Sequence, residues 1–400
     1  MPKGFYYLIG AQFASGFADN ALLILGIYFL NEQGYPGWWA PLLKFSITLA
    51  YVLLASVVGP VADAFTKGRL MAWMNALKML GVVLLLCGAQ PLLAFAVIGL
   101  AASVYAPSKY GLVTESVPPR FLVRANAWLE VSVVLSVIFG IALGGALTGL
   151  SEMSEWVSLG VHTKTLPAML VVVGVYLVAA LLNFGLKPMN SAQATVPLNW
   201  HAMRLSSFWK SNLRLWRDPL GGVSLYVTTL YWGVGAVMQF AVLLWAQQTL
   251  NLTLKGGAYL QALVAVGVIA GAYLAGRYFK LHAARQSLPW GIVLALLLPV
   301  IVTVSEVGWA IPLLLTVGVS GGLLLVPMNA LLQHRGMQVL SAGRSIAVQG
   351  FNENLSVLMM LGIYSALLAF GVSLTWIMLL LATLLTAGVA PLCLFVMRRL

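Results

Sequence analysis

The sequence predicts an all-α membrane protein with about twelve spanning helices in two six-helix bundles. Three observations carry that prediction. The 400 residues are 61% hydrophobic and only 8% charged, whereas a soluble domain carries about 25% charged residues. So few charges cannot cover a water-facing surface. Apolar runs of the length needed to cross hydrocarbon, about 20 residues, recur along the whole chain. The cations then fall almost entirely on one side when the runs are threaded alternately through a bilayer.

The first run, Phe5–Leu30, has no small-residue cleavage site and is too long for the apolar core of a signal peptide, so it is expected to be retained as a helix. Runs at 39–62, 69–88, 91–108, 125–148 and 166–186 complete a first set of six. A polar stretch, Lys187–Pro219, interrupts the pattern with Lys187, Arg204, Lys210, Arg214 and Arg217 among Trp200, Trp209 and Trp216. Such an aromatic and basic mixture is expected on the bilayer surface. Six more runs follow at 220–249, 257–280, 288–305, 309–333, 340–369 and 372–397. With Lys3 in the cytoplasm, 18 of the 22 cations fall on the cytoplasmic side and two, Lys164 and Lys255, opposite. Lys44 and Lys78 lie inside runs. This positive-inside asymmetry places both termini and the central loop in the cytoplasm. The net charge of +12 therefore reports topology and not nucleic-acid binding. Cys87 and Cys393 both lie in apolar runs and are expected to pack in the core.

The chain reads as a duplication at an offset of 220 residues. Pro107 falls on Pro327, Arg124 on Arg344, Ala127 on Ala347, Ala21 on Ala241, and Leu23 on Leu243. The domains expected are residues 1–186, a basic linker at 187–219, and residues 220–400. Two such halves joined by a cytoplasmic loop define the major facilitator architecture, in which substrate binds at mid-depth between the repeats.

Ionisable groups inside the runs are the candidate functional residues. A carboxylate at the centre of a spanning helix costs about 2.5–3.5 kcal/mol on insertion scales, so it should face a partner or an aqueous cavity. Asp19 is such a group, and Gln12, Ser15 and Asp19 share one helix face beside Asn20. In the eleventh run, Ser345, Gln349, Asn352, Glu353 and Ser356 form one polar stripe. Asn329 and Gln333 stand one turn apart after Pro327, and Gln239 occupies the position equivalent to Asp19. Each group has a plainer reading as a helix-packing contact. Lys44 and Lys78 are expected to snorkel to an interface. Glu32, Glu152, Glu155, Glu306 and Asp218 read as solvated loop charges. Gly59, Asp63, Lys67 and Arg69 form a degenerate version of the major facilitator loop signature, with Ala64 and Gly68 at positions often cationic. With Arg124, the residues Asp63, Lys67 and Arg69 are the candidate conformational latch.

The four histidines are isolated in sequence, and no Walker loop or HExxH is present. No enzyme activity, cofactor or metal is expected. Five segments together resemble the bacterial lysophospholipid transporter family. They are AQFASGFADNALL ending at Leu23, VADAFTKGR ending at Arg69, APSKYG ending at Gly111, VPMNALLQ ending at Gln333, and the stretch from Ala347 through Asn354 to Ser365. The resemblance implies movement of lysophosphatidylethanolamine and related lysolipids from the outer to the inner leaflet of the bacterial inner membrane, without a proton or sodium gradient. It implies a separate cytoplasmic acyltransferase/acyl-carrier-protein synthetase as partner, and a monomer is expected. For a zwitterionic headgroup, Asp19 and Glu353 suit the ammonium and Lys109 the phosphate. Asn20, Tyr110, Asn329 and Asn352 can add hydrogen bonds. Gln239 departs from an arginine found in some members, which leaves a second phosphate cation in doubt. Two other readings stay open: a proton-coupled exporter of amphipathic compounds on the same fold, and a non-transporting scaffold that recruits the acyltransferase.

Overall fold

Hydrocarbon offers no water to a backbone amide, so a chain crossing it must satisfy its hydrogen bonds within helices or a closed barrel. This chain uses helices. The structure, a computed structural model, describes residues 3–35, 39–153, 165–186 and 197–397. Along the first half run α1 (Lys3–Glu32), α2 (Trp39–Leu53), α3 (Ala55–Ala64), α4 (Lys67–Leu86), α5 (Pro91–Ser116), α6 (Leu122–Met153) and α7 (Leu166–Phe184). A short helix, α8 (Leu205–Arg217), lies in the linker. Then come α9 (Pro219–Gln248), α10 (Leu254–Tyr278), α11 (Pro289–Thr303), α12 (Val307–Val339), α13 (Ala342–Ala369) and α14 (Leu374–Met397). Lys164, Lys187, Arg398, Arg399 and Glu155 lie outside the described residues.

Among the described residues, eleven segments are long and apolar enough to span, and α2 with α3 makes a twelfth bent by 70°. The expected single second run is therefore broken. The bend falls at Leu54, six residues before Pro60, whose ring removes a helical donor and crowds the preceding turn. Polar residues fix several helix starts. Gln90 accepts the Leu93 N–H ahead of Pro91, and Thr253 accepts the Gly256 N–H. Large apolar side chains such as Leu53, Trp73, Trp309 and Phe370 are more than half exposed. They are the lipid-facing surface that such a chain requires.

The chain forms two compact units. The first comprises Met1–Val117, Ser132–Asn212 and Leu340–Phe351, and the second Pro118–Val131, Leu213–Val339 and Asn352–Leu400. In the first, α1 packs on α7, α4 on α5 and α7, and α2 and α3 on α5. Leu25, Phe29, Val82, Phe95 and Tyr176 fill its core. In the second, α12 packs on α10, α9 and α11, and α14 packs on α11. Its core is Trp245, Leu298, Ile301, Leu314 and Met378. Cys393 is buried as expected, but Cys87 is exposed because it stands at the C-cap of α4, just beyond the packed run.

The repeated Arg-x2-Ala pattern has a physical basis. In the first unit a Cβ on Gly59 would lie 2.9 Å from Arg344 Cα and 3.1 Å from Ala347 Cβ. In the second a Cβ on Gly276 would lie 2.7 Å from Ala127 Cβ and 3.5 Å from Arg124 Cα. Each Arg-x2-Ala face sits on a glycine of a neighbouring helix. The α10–α12 contact takes the same principle further. Gly267 and Gly271 face Gly318 and Gly322, and a Cβ on Gly318 would strike the Val264 carbonyl. Small residues four apart on both helices let the backbones approach closely.

Gly318→Val should lower the thermal stability of the detergent-solubilised protein, since overpacking costs about 1–3 kcal/mol. Gly235→Ala, where a Cβ meets nothing within 4 Å, should leave the melting temperature unchanged or raise it. Equal melting temperatures for the two variants would refute this packing account.

Candidate functional site

In the first unit the polar face of α1 meets α4, α5 and α7. Lys78 of α4 donates to Asp19 Oδ2 at 2.7 Å and to Ser15 Oγ at 3.1 Å. Ser15 donates in turn to Asn75 Oδ1 at 2.8 Å, and the Tyr176 hydroxyl donates to Asp19 Oδ1 at 2.7 Å. The ammonium also lies near the Tyr105 and Tyr176 rings, at 5.1 and 5.6 Å from their centroids. Lys78 is therefore not a snorkelling side chain. It is 1% exposed, and its length is used to reach inward to a carboxylate. The Asp19 side chain is 32% exposed, so it keeps an open side while its counter-ion is sealed behind it.

Lys109 on α5 is buried, donates to Gln12 Oε1 at 2.9 Å and lies 4.3 Å from the Tyr110 ring centroid. Gln12 and Asp19 are seven residues apart on α1, about 10 Å of helix rise. Asn20 turns its amide to the Gly16 carbonyl, 2.8 Å away. The structure thus gathers Asp19, Asn20, Lys109 and Tyr110 along one unit's α1 and α5.

In the second unit Asn329 is buried on α12, and Asn352 and Glu353 are half-buried on α13. The Trp216 indole N–H donates to Asn352 Oδ1 at 3.2 Å, tying the end of α8 to α13. Gln239 is exposed, and its backbone carbonyl accepts from the Gln261 side chain at 3.0 Å. Ser345 and Gln349, the other end of the expected stripe, belong to the first unit.

Of the latch residues, Asp63 accepts the Gly343 N–H at 2.8 Å and a short hydrogen bond from the Ser341 hydroxyl. A carboxylate thus sits on the first turn of α13, where orphan amides and the helix dipole favour negative charge. Lys67 turns away to Glu115 at 2.6 Å. Arg69 and Arg124 are exposed on the surface and are not part of the Asp63 contact.

Other polar contacts lay beyond the sequence reading. Glu115 is the partner of Lys67, and Glu130 is buried in α6. Asn126 and Gln333 exchange a reciprocal amide pair at 2.9 and 2.8 Å, both fully enclosed in the second unit. Asp218 is not a solvated loop charge. It caps α9 by accepting the Leu220 and Gly221 N–H groups, and it bridges Arg335 at 2.6 Å. Its capping position before Pro219 was the available signal. Burial pushes the Asp218 carboxyl up, but the Arg335 guanidinium and the two amides outweigh it and hold the group below the ordinary carboxylate value.

The profile of the Major Facilitator Superfamily matches residues 8–356. The chain belongs to this superfamily of membrane transporters. It is 36% identical over 372 residues to the lysophospholipid transporter LplT of Escherichia coli strain SE11, covering 92% of this chain and 90% of that protein. It is 34% identical over 376 residues to LplT of Yersinia enterocolitica, with coverages of 93% and 89%. Within the superfamily its place is the family of bacterial lysophospholipid transporters. Solved structures support the fold. The outward-conformation transporter FucP matches with a TM-score of 0.75 at 15% identity, covering 98% of each chain. An outward-facing bacterial homologue of the iron transporter ferroportin matches with a TM-score of 0.73 at 14% identity, covering 98% of this chain and 99% of that one.

Because Lys78 is sealed, Asp19→Asn should destabilise the protein by about 3–5 kcal/mol if the stranded ammonium stays charged, and Lys78→Met, which strands the part-exposed Asp19, should cost less. The double variant should recover part of that loss, with a coupling of about 1–3 kcal/mol in a thermal-unfolding cycle. Strict additivity would mean the pair is not coupled. For Asp218 the folded pKa is depressed from 3.8. Its stabilisation is complete above the unfolded value and is lost as pH falls through the folded one. The stability gap between the parent and Arg335→Gln should therefore be constant above the unfolded value of 3.8 and narrow only as pH falls below it.

Proposed function

We propose that this protein moves lysophospholipids, chiefly lysophosphatidylethanolamine, from the outer to the inner leaflet of the bacterial inner membrane for reacylation. The observation that carries the reading is the half-open Asp19 carboxylate backed by a sealed Lys78. Such a group can take a lipid ammonium on its free side without losing its internal counter-ion. The kinship with named lysophospholipid transporters supports the substrate class. Leucine- and valine-rich helices supply an apolar path for the single acyl chain.

In this proposal the lipid enters laterally from the outer leaflet and docks its headgroup at mid-depth. Lys109, Tyr110, Asn20, Asn329, Asn352 and Glu353 are the further headgroup candidates. Alternating access of the sequence halves 1–186 and 220–400, joined by 187–219, delivers the lipid inward. Asp63 on the first turn of α13 serves as a latch that holds one conformation. Both termini are cytoplasmic, the chain acts as a monomer, and a separate acyltransferase/acyl-carrier-protein synthetase consumes the product.

The test is leaflet transfer of labelled lysolipids in proteoliposomes. Asp19→Asn combined with Lys78→Met removes both charges together, so the result reports on substrate and not on a stranded lysine. Loss of a charge-assisted hydrogen bond, about 1.5–3 kcal/mol, should slow lysophosphatidylethanolamine transfer by roughly ten- to a hundred-fold. Lysophosphatidylglycerol, which has no ammonium, should be slowed far less. Equal slowing of both lipids would remove Asp19 from ammonium recognition. Abolition of wild-type transfer by a protonophore would favour the exporter reading.

A further inference from the structure

Helix α8 carries a feature that headgroup binding and latching leave unused. Its period alone sorts its side chains into three adjoining stripes. Phe208, Asn212 and Leu215 are buried. Next around the axis come Leu205, Trp209 and Leu213, which are 63%, 50% and 48% exposed. Beyond them lie Lys210, Arg214 and Arg217, all exposed. Residues 205–217 contain no aspartate or glutamate. Just upstream, Trp200 is 77% exposed. Arg217 leads directly into Asp218, the cap of the spanning helix α9, so this end of α8 stands at the membrane boundary.

An apolar stripe left open beside a row of cations, at the foot of a spanning helix, has the chemistry of one partner. The apolar side chains fit the acyl boundary, the tryptophans fit the headgroup level, and the cations fit lipid phosphates. We propose that α8 lies in the bilayer surface as a docking face for anionic phospholipid. Leu205, Trp209 and Leu213 are immersed, and Lys210, Arg214 and Arg217 pair with the headgroups. Anionic lipid then favours an embedded state of α8 over one lifted into water.

The experiment uses the full chain in nanodiscs with Cys87→Ser and Cys393→Ser and a nitroxide at Leu213→Cys. A second labelled variant, Leu205→Cys, repeats the measurement at an independent exposed site. Collision with oxygen and with a water-soluble nickel reagent is compared in discs of phosphatidylcholine alone and with added phosphatidylglycerol. Both labels should favour oxygen, and phosphatidylglycerol should raise the embedded fraction. Replacing Lys210, Arg214 and Arg217 with glutamine should lower the embedded-to-lifted ratio in phosphatidylglycerol about five-fold per cation, as expected for charges at an anionic surface. Labels that stay accessible to nickel in both lipid mixtures would overturn the proposal, and so would a triple variant that responds to phosphatidylglycerol as the parent does. Shielding that arises only when a soluble acidic protein is added would assign the face to a protein partner and overturn it equally.

Discussion

A charge inside hydrocarbon must be met by another group, and the first unit is organised around that requirement. Asp19 could not be held at the middle of α1 alone. Lys78 crosses from α4 to neutralise it, Tyr176 reaches it from α7, and Ser15 with Asn75 takes up a remaining ammonium proton. Three helices are thereby joined at one carboxylate, α4 by an ion pair and α7 by a hydrogen bond. The pair is also asymmetric, since the lysine is enclosed and the carboxylate retains solvent access. Packing and recognition thus rest on the same residues: the contact that orients the helices leaves the carboxylate open.

The helical plan was legible because hydropathy and cation placement are properties of single segments. Asp19 stood out for the same reason, as one acid in one apolar run. Lys78 did not, because helical periodicity shows which face a side chain is on and not which neighbour that face meets. Asn126 and Gln333 are 207 residues apart, and no local pattern joins them. Asp218 reads as a loop charge from its polar setting, although Asp before Pro at a helix start is a capping signature. Glu115 and Glu130 carry no local signal of their partners or burial, since each depends on a neighbouring helix. Arg69 matches the loop signature by spacing and Arg124 joins it as a latch candidate, yet spacing could not reveal that their side chains stand on the surface. Conversely, the faint repeat of Arg-x2-Ala proved informative, because each copy marks a close helix approach onto a glycine.

The linker helix reaches the candidate site through Trp216. Trp216 near the end of α8 holds the amide of Asn352, whose neighbour Glu353 is a headgroup candidate. Asp218, one residue beyond α8, both caps α9 and binds Arg335 of α12. The second unit is therefore anchored to its linker by a cap, an ion pair and an indole hydrogen bond within three residues of sequence.

The two glycine seats are alike in shape but are fastened differently. Where α13 begins over Gly59, a carboxylate accepts hydrogen bonds from the Gly343 amide and the Ser341 hydroxyl. Where α6 begins over Gly276, Asp63 has no acidic equivalent, because Ala283 stands at the matching repeat position. That region of α6 is held instead to α12 by the neutral Asn126–Gln333 pair. A carboxylate answers to protons and counter-ions, whereas two carboxamides answer to neither. The two matching seats therefore share a close helix approach but differ in the chemistry that fastens them. One seat is therefore tied by a formal charge and the other by neutral dipoles alone.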